Sequence, residues 1–294
     1  MKPSKFTYHA PQSIDEAVSL LSQNDGSARV LAGGQSLIPL MNFRMAAPAA
    51  LVDLGKIPNL AYIREDGGVI RIGAMTRQRS IEFSPLIREK LPLLHEAIGW
   101  VGHLPTRSRG TVGGSIAHAD PSTEIPMVLQ ALEGEVTARG PNGERTIKAE
   151  DLFVSHLTTA LEPNEILTEI RFPVMPADAG YAFEEFARRH GDFAIVAIAA
   201  AVRIDGGACR WVRLAAAGTG PTPLKLSVAA AILLNKGLDA AAIDEASDAA
   251  GEELVEPTSD NNGSAEFRRH LTKVLTGRAI RRAVAMAMEI ERAP

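Results

Sequence analysis

Cysteine is nearly absent from this chain of 294 residues, which contains one, Cys209. A single thiol excludes an internal disulfide. It also excludes an iron–sulfur cluster held by this chain alone, because such clusters usually take four cysteine ligands. The seven histidines show no HxH or HxxxH spacing, so we expect no protein-bound transition metal.

Long apolar runs and an excess of positive charge are also missing. The longest apolar run, residues 193–202, is well short of the roughly 20 residues that a membrane-spanning helix needs. Residues 1–6 lack the apolar core of a signal peptide, so a cytoplasmic protein is expected. The net charge of −4 argues against a nucleic-acid binder that works by neutralising phosphates. Apolar residues make up 46% of the chain, enough for a hydrophobic core, and the length suggests about two domains.

The hydrophobic pattern predicts a mixture of helices and strands. Residues 13–16 have the form of a capping box, ahead of a helix that ends near residue 24. A turn at residues 141–143 predicts a hairpin that pairs Val136 with Ile147. Residues 173–180 have the composition of a linker, and the region after them is predicted to be a separate α+β unit. Strands are predicted at residues 28–31, 50–54, 68–74, 134–139, 165–172, 194–204 and 208–218.

Two glycine pairs, Gly33-Gly34 and Gly113-Gly114, stand at predicted seams between a strand and a helix. Glycine permits positive φ and leaves no Cβ in the way of a ligand, and successive N–H groups at such a seam form a nest for an anion. An ordinary tight turn is the alternative for either pair alone. Two nests facing each other would suit a diphosphate. Neither segment matches the Rossmann or P-loop fingerprint.

Four further segments are informative: AGGQSLIPLMNFRMAAPAALVDLGKI, RSRGTVGGSIAHADPSTEIPMVL, FARRHGDFAIVAIAAAV and TSDNNGSAEFRRHLTKVLTGRAI. Together they resemble one family, the flavoprotein (medium) subunit of molybdenum hydroxylases, the xanthine dehydrogenase and aerobic carbon monoxide dehydrogenase group. They span most of the chain, from about residue 6 to residue 280. The resemblance implies an α+β fold of the vanillyl-alcohol-oxidase (PCMH) type. Two FAD-binding subdomains, residues 1–56 and 57–176, would precede a C-terminal domain, residues 177–294, with a three-stranded antiparallel sheet and helices.

The resemblance also assigns FAD contacts, residue by residue. Residues 32–36 and 111–115 would wrap the pyrophosphate, Glu124 would contact the flavin ring, the main chain of Leu167 would lie along the flavin, and Phe193 would cover one face of it. The alternatives are a helix-terminal glutamate at Glu124, a buried strand residue at Leu167 and core packing at Phe193. No catalytic or metal-binding residue is assigned. The predicted contacts are Ala32, Gly33, Gly34, Gln35, Ser36, Thr111, Gly113, Gly114, Ser115, Glu124, Leu167 and Phe193.

The chain departs from the family at several positions. Relatives often have histidine at Gln35, aspartate or asparagine at Ser115, and aspartate at Glu124. Many also have lysine within the stretch that reads Phe183-Glu184-Glu185-Phe186 here, so that lysine contact is absent or supplied elsewhere.

Four polar residues flank the second glycine pair. His118 and Asp120 are expected to shape the loop rather than to move protons. Arg107 and Arg109 are expected either to offset phosphate charge or to be solvated.

The family implies a division of labour in which this chain carries FAD. A large subunit would hold the molybdenum cofactor, and a small subunit would hold two [2Fe–2S] clusters. Two such heterotrimers would form a dimer. The single cysteine agrees with this division. Two alternatives remain open, a stand-alone FAD-dependent oxidoreductase of the same fold and a non-catalytic protein that binds a phosphoanhydride. The organic substrate and the final electron acceptor are not given by the sequence.

Overall fold

The computed structural model describes residues 2–292. Its first part is a small parallel sheet with strand order β1-β3-β2. The predicted capping box is present at the first helix, because Ser13 Oγ accepts the Glu16 N–H at 3.1 Å. The return hydrogen bond is shifted by one residue, since the Glu16 carboxylate accepts the N–H of Gln12 and not that of Ser13. Strand β1 was not predicted. The elements are β1 (Thr7–His9), α1 (Ile14–Gln23), β2 (Ala28–Leu31), α2 (Leu37–Asn42), β3 (Ala50–Asp53) and a 3₁₀ turn (Leu54–Lys56).

The second part is built on a five-stranded antiparallel sheet of order β4-β5-β10-β6-β7. Val136 pairs with Ile147 as the turn predicted. Residues 78–98 form three short helices with breaks at Ser84-Pro85 and Leu91-Pro92, because each proline begins a new helix. The elements are β4 (Ile63–Asp66), β5 (Val69–Gly73), α3 (Gln78–Glu82), α4 (Pro85–Lys90), α5 (Pro92–Ile98), α6 (Leu104–Arg109), α7 (Val112–His118), α8 (Glu124–Ala131), β6 (Glu135–Gly140), β7 (Gly143–Lys148), α9 (Ala149–Leu152), β8 (Phe153–Ser155), β9 (Thr158–Thr159) and β10 (Ile166–Pro173).

The third part is an antiparallel sheet of order β11-β12-β13-β14 with three helices. Its three long strands confirm the predicted three-stranded sheet, and the two-residue strand β14 adds a short fourth strand at the edge. The elements are β11 (Ala179–Phe186), β12 (Val196–Asp205), β13 (Ala208–Ala217), β14 (Leu224–Lys225), α10 (Ser227–Lys236), α11 (Ala240–Glu252) and α12 (Ala265–Arg292). The α+β class expected from the sequence is confirmed.

Strand β12 is buried on both faces, which explains why its sequence reads as one continuous apolar run. Ala197 and Ala199 face the second part of the chain and belong to its core. Ile198 and Val202 face the C-terminal helices and belong to a different core. A third core surrounds Leu21 of the first part and also includes Leu60, Met75 and Ile166 of the second part. No helix within residues 2–292 is both long and apolar enough to cross a membrane.

Candidate functional site

A cavity of about 830 Å³ brings together residues from all three parts of the chain. That volume lies toward the upper end of the roughly 300–1,000 Å³ typical of small-molecule and cofactor sites. Every one of the twelve residues predicted to contact FAD lines this cavity. They are Ala32, Gly33, Gly34, Gln35, Ser36, Thr111, Gly113, Gly114, Ser115, Glu124, Leu167 and Phe193.

The first glycine pair forms a loop with free hydrogen-bond donors. Gly34 has φ of +72°, a conformation that glycine adopts without strain. Within residues 2–292, no hydrogen bond is donated by the backbone N–H groups of residues 33–36. Ser36 precedes helix α2, and its hydroxyl does not cap that helix. These donors face no protein acceptor, so they are available to an anionic group in the cavity.

The second glycine pair is different, and the prediction of a second nest of free N–H groups is wrong. Gly113 and Gly114 lie in the first turn of helix α7 and do not have positive φ. The N–H of Gly113 donates to the carbonyl of Ala74, and that of Gly114 to the hydroxyl of Thr111 at 3.0 Å. Ser115 N–H donates to the Thr111 carbonyl. The protein itself uses these donors, since Thr111 is the N-cap of a helix that starts sooner than the turn prediction assumed.

The two glycine segments instead have a shared steric role. A Cβ added to Gly33 would lie 2.5 Å from the carbonyl oxygen of Arg109 and 2.8 Å from Cα of Gly110. A Cβ at Gly114 would lie 2.7 Å from the Thr111 hydroxyl and 3.5 Å from Cβ of Ala32. The two distances from the Gly33 Cβ, to Arg109 and to Gly110, are shorter than ordinary van der Waals contact. Glycine therefore lets the first loop lie directly against the second segment, and the two make one continuous cavity wall.

The cavity wall also carries an exposed aromatic ring. Phe193 lies in the loop between β11 and β12, and 63% of it is exposed. The alternative that Phe193 is a core residue is therefore wrong. Nearby Gly191 has φ of +89°, and a Cβ there would overlap the ring of His103, so this loop packs closely on the second part. Leu167, on β10, is buried and lies at a bulge in its strand.

Of the two arginines that precede the second glycine pair, Arg107 does not have the role expected of it. Arg107 cannot offset phosphate charge, because its guanidinium is paired with Glu82 and also donates to the carbonyls of Val101 and Gly102. Arg109 lines a second cavity of about 540 Å³ behind the first glycine loop, together with Arg77.

Asp120 has the expected loop-shaping role, because its carboxylate accepts the Ser122 N–H at 2.9 Å and its carbonyl accepts the Thr123 hydroxyl. His118 lies on the cavity wall, and burial lowers its pKa. Glu124 begins helix α8 and is 4% exposed, and burial raises its pKa to about 7. Burial therefore favours the uncharged forms of His118 and Glu124 on this part of the cavity wall.

Two polar residues near the cavity were missed in the sequence. Gln78 lines the cavity with an Oε1 atom that is buried and has no partner. Glu185 lies on β11 with both carboxylate oxygens buried and without a partner. A pattern of apolar residues does not reveal either, but the glutamate in place of the family's lysine was a signal for Glu185.

The comparisons with known proteins agree with one another. Residues 4–175 match the family model described as the FAD binding domain in molybdopterin dehydrogenase, and residues 181–283 match the CO dehydrogenase flavoprotein C-terminal domain. The chain is a member of this medium-subunit flavoprotein family. The resemblance identified in the sequence is thereby confirmed, and the chain is an FAD-binding subunit of the molybdenum-dependent oxidoreductases.

Individual relatives extend over almost the full length of this flavoprotein. It is 41% identical over 288 residues to the 6-hydroxypseudooxynicotine dehydrogenase complex subunit alpha of Paenarthrobacter nicotinovorans, covering 98% of this chain and 97% of that one. A solved carbon monoxide dehydrogenase from Hydrogenophaga pseudoflava superposes with a TM-score of 0.95 at 40% identity, covering 97% of this chain and 99% of that one. Quinoline 2-oxidoreductase from Pseudomonas putida 86 gives a TM-score of 0.92 at 36% identity, with 98% and 100% covered.

The residues present fit FAD. The run of free N–H groups at residues 33–36 suits the pyrophosphate, which needs donors and no nearby carboxylate. A Cβ at Gly33 would displace the wall on which those donors lie. The exposed ring of Phe193 offers a flat apolar surface to an aromatic ligand.

Proposed function

We propose that this flavoprotein is the FAD-carrying electron-transfer subunit of a heterotrimeric molybdenum hydroxylase. It accepts electrons from 2Fe–2S clusters on a small subunit and passes them to an external acceptor. A large subunit holds the molybdenum cofactor, and two heterotrimers associate in the cytoplasm. The observation that carries the proposal is the cavity whose wall holds both a run of free N–H donors and an exposed phenylalanine.

Bound FAD supplies the group that takes up and releases electrons. The chain itself binds and orients that group. The N–H groups of residues 33–36 and the Ser36 hydroxyl hold the pyrophosphate, while residues 111–115 form the wall that places the first loop. Phe193 covers one face of the flavin, Leu167 lies along it, and Glu124 contacts it. Residues 1–56, 57–176 and 177–294 act as three units around this site.

The partner subunits are supported by the composition of the chain. Its single cysteine is buried, and burial raises the pKa of that thiol to about 11, which disfavours the thiolate that a metal needs. The clusters of the proposed complex therefore reside on another chain.

A stand-alone FAD-dependent oxidoreductase is the alternative function. The observation that favours it is the presence of His118 and Glu124 on the cavity wall, since such side chains can move protons for an organic substrate. Asp120 is engaged in its own loop, which leaves these two.

Purification from the native source tests the proposal. We expect flavin, iron and molybdenum to co-purify with this chain and two further chains. Flavin without either metal would support the stand-alone oxidoreductase. A folded preparation without flavin, and unable to take up added FAD, would contradict both functions.

A further inference from the structure

Arg268 is a buried arginine for which the proposed FAD site has no role. It lies near the start of α12 and is 2% exposed. Its Nη1 atom donates to the carbonyls of Ile195 and Gly218, the latter at 2.6 Å. Its Nη2 atom donates to Oδ1 of Asp260 at 2.8 Å. A charge is costly to bury unless it is paired and hydrogen-bonded, so this guanidinium ties together the start of β12, the end of β13 and the loop before α12.

The backbone that leads out of the Phe193 loop is fixed at Ile195. The Ile195 N–H donates to the Phe186 carbonyl at 2.8 Å, and the Ile195 carbonyl accepts from Arg268. Phe193 lies just before this point on the cavity wall, and its ring is mostly exposed. Because little packing surrounds the ring, its position depends on the backbone on either side, which is held at Gly191 by close packing and at Ile195 by these hydrogen bonds.

Gly218 connects the same arginine to a second segment of the cavity wall. Its carbonyl accepts from Arg268, while its N–H donates to the carbonyl of Pro121 at 2.8 Å. Pro121 belongs to the loop that leads to Glu124, which lines the cavity. A Cβ added to Gly218 would lie 2.4 Å from the Ile195 carbonyl oxygen, so the two backbones are in direct contact. The guanidinium therefore lies where the loop with the exposed ring meets the segment that begins α8.

Asp260 fixes the orientation of the guanidinium. Its Oδ1 atom accepts the N–H groups of Asn262 at 2.8 Å and Gly263 at 3.1 Å, in addition to Nη2 of Arg268. The carboxylate is thereby held by its own loop and in turn holds the arginine. Asp260 and Arg268 both belong to the segment TSDNNGSAEFRRHLTKVLTGRAI, in which the sequence assigned no FAD contact.

We propose that Arg268 is a positioning residue of the flavin site, which acts through the Ile195 carbonyl to hold Phe193 against the flavin. Arg268 does not itself line the cavity, so its effect on FAD is indirect. This effect requires the Phe193 ring and disappears when the ring is removed. The inference rests on the proposed function, because the position of Phe193 matters only if a flavin occupies this cavity.

A double-mutant cycle on the whole chain tests the proposal. The variants are Arg268→Met, Phe193→Ala and the two combined, and the dissociation constant of FAD is measured by flavin fluorescence. Arg268→Met should weaken FAD binding about 5- to 10-fold, the factor expected for loss of the stacked ring. The double variant should bind FAD within about a factor of two of Arg268→Met alone, because the ring that it lacks is already displaced. A combined weakening equal to the product of the two single factors would overturn the proposal.

Arg269→Met is the matched control. Arg269 is the next residue of α12 and also donates to two carbonyls, those of Gly251 and Val255, neither of which lines the cavity. This variant should bind FAD as the wild type does, whatever its melting temperature. At saturating FAD, the visible circular dichroism of the flavin should change in Arg268→Met as it does in Phe193→Ala and stay unchanged in Arg269→Met. An Arg268→Met protein with a lowered melting temperature and an unchanged flavin spectrum would overturn the positioning role.

Arg268→Lys is the conservative variant. It keeps the positive charge but replaces the planar fork with one ammonium group, so it should restore part of the FAD affinity. If Arg268→Met does not fold, the same cycle is made with Arg268→Lys. A weakening that disappears in the Phe193→Ala background supports the proposal, whereas an unchanged affinity or a weakening that persists there overturns it.

The outcomes separate this inference from the proposed function. Additive effects of the two substitutions, in a wild type that binds FAD, overturn the role of Arg268 and leave the FAD site intact. A folded wild-type chain that takes up no FAD contradicts the proposed function and the inference with it.

Discussion

Replacing Gly33 by alanine is expected to separate the two segments that form the cavity wall. The added Cβ would lie 2.5 Å from the Arg109 carbonyl oxygen and 2.8 Å from Cα of Gly110, both of them backbone atoms that cannot rotate away. Gly33 does not have positive φ, so the effect is steric and not conformational. Overpacking of this kind costs about 1–3 kcal/mol of stability.

The same displacement moves the N–H donors of residues 33–36 away from a bound pyrophosphate. Loss of one hydrogen bond to a charged group costs about 1.5–3 kcal/mol. Since each 1.4 kcal/mol is about a tenfold change in affinity, FAD binding should weaken by roughly 10- to 150-fold. We expect the variant to fold, with a melting temperature lowered by several degrees.

The assay is a titration of apoprotein with FAD, followed by flavin fluorescence, beside a thermal melt of the same preparation. Gly220→Ala is the matched control, because its new Cβ would have its nearest neighbour at 3.8 Å and the residue lacks positive φ. This control should match the wild type in both measurements. A Gly33→Ala protein that binds FAD within a factor of two of the wild type would refute the account of the glycine contact. A lowered melting temperature with unchanged affinity would reduce Gly33 to a purely structural role.

Three further outcomes are expected. FMN should bind at least about tenfold more weakly than FAD, because it lacks the pyrophosphate that the free donors suit; equal affinities in one titration series would contradict this. Phe193→Ala should weaken FAD binding about 5- to 10-fold, because the stacking of its ring on the flavin is lost. The free energy of unfolding should change by less than about 0.5 kcal/mol, since the ring is exposed. Phe83→Ala, at a residue that is 64% exposed, is the control in the same assays. Apoprotein stability should fall as the pH rises, because the folded chain holds protons on Glu124 and Glu185, with pKa values of about 7 and 8, that the unfolded chain releases near its ordinary 4.5. The free energy of unfolding, measured with urea, should fall by on the order of 6 kcal/mol between pH 5 and pH 9, and Glu185→Gln should flatten that dependence. An unchanged pH dependence in the variant would contradict the raised pKa of Glu185.

The sequence predicted the elements that depend on local patterns. The alternating residues around Ile70 and the turn at residues 141–143 gave correct strands and a correct hairpin, since a two-residue period and turn chemistry are local properties. The motifs also placed all twelve candidate contacts on one cavity. Strand β1 was missed because three residues are too few to show a period.

The errors concern tertiary contacts. The role of Gly113 as a packing residue depends on Ala74, which lies far away along the chain, so no local pattern reveals it. Arg107 was expected near the phosphate or in solvent, but it pairs with Glu82, which is distant in the sequence. The burial of Glu185 depends on the second part of the chain covering its strand, and a glutamate within a strand reads as exposed in the sequence alone.

The alternating alanines of β12 have a consequence for how the molecule comes apart. Because Ala197 and Ala199 belong to the core of the second part, the second and third parts share one hydrophobic core and should unfold in a single cooperative step. The first part packs in a smaller core around Leu21, to which the second part contributes residues such as Leu60, Met75 and Ile166, and we expect it to open first. A ligand that contacts both residues 33–36 and Phe193 ties that unit to the rest. Cofactor loss and loosening of the first sheet are therefore expected to be one event, seen as simultaneous loss of flavin and of amide protection in residues 7–53.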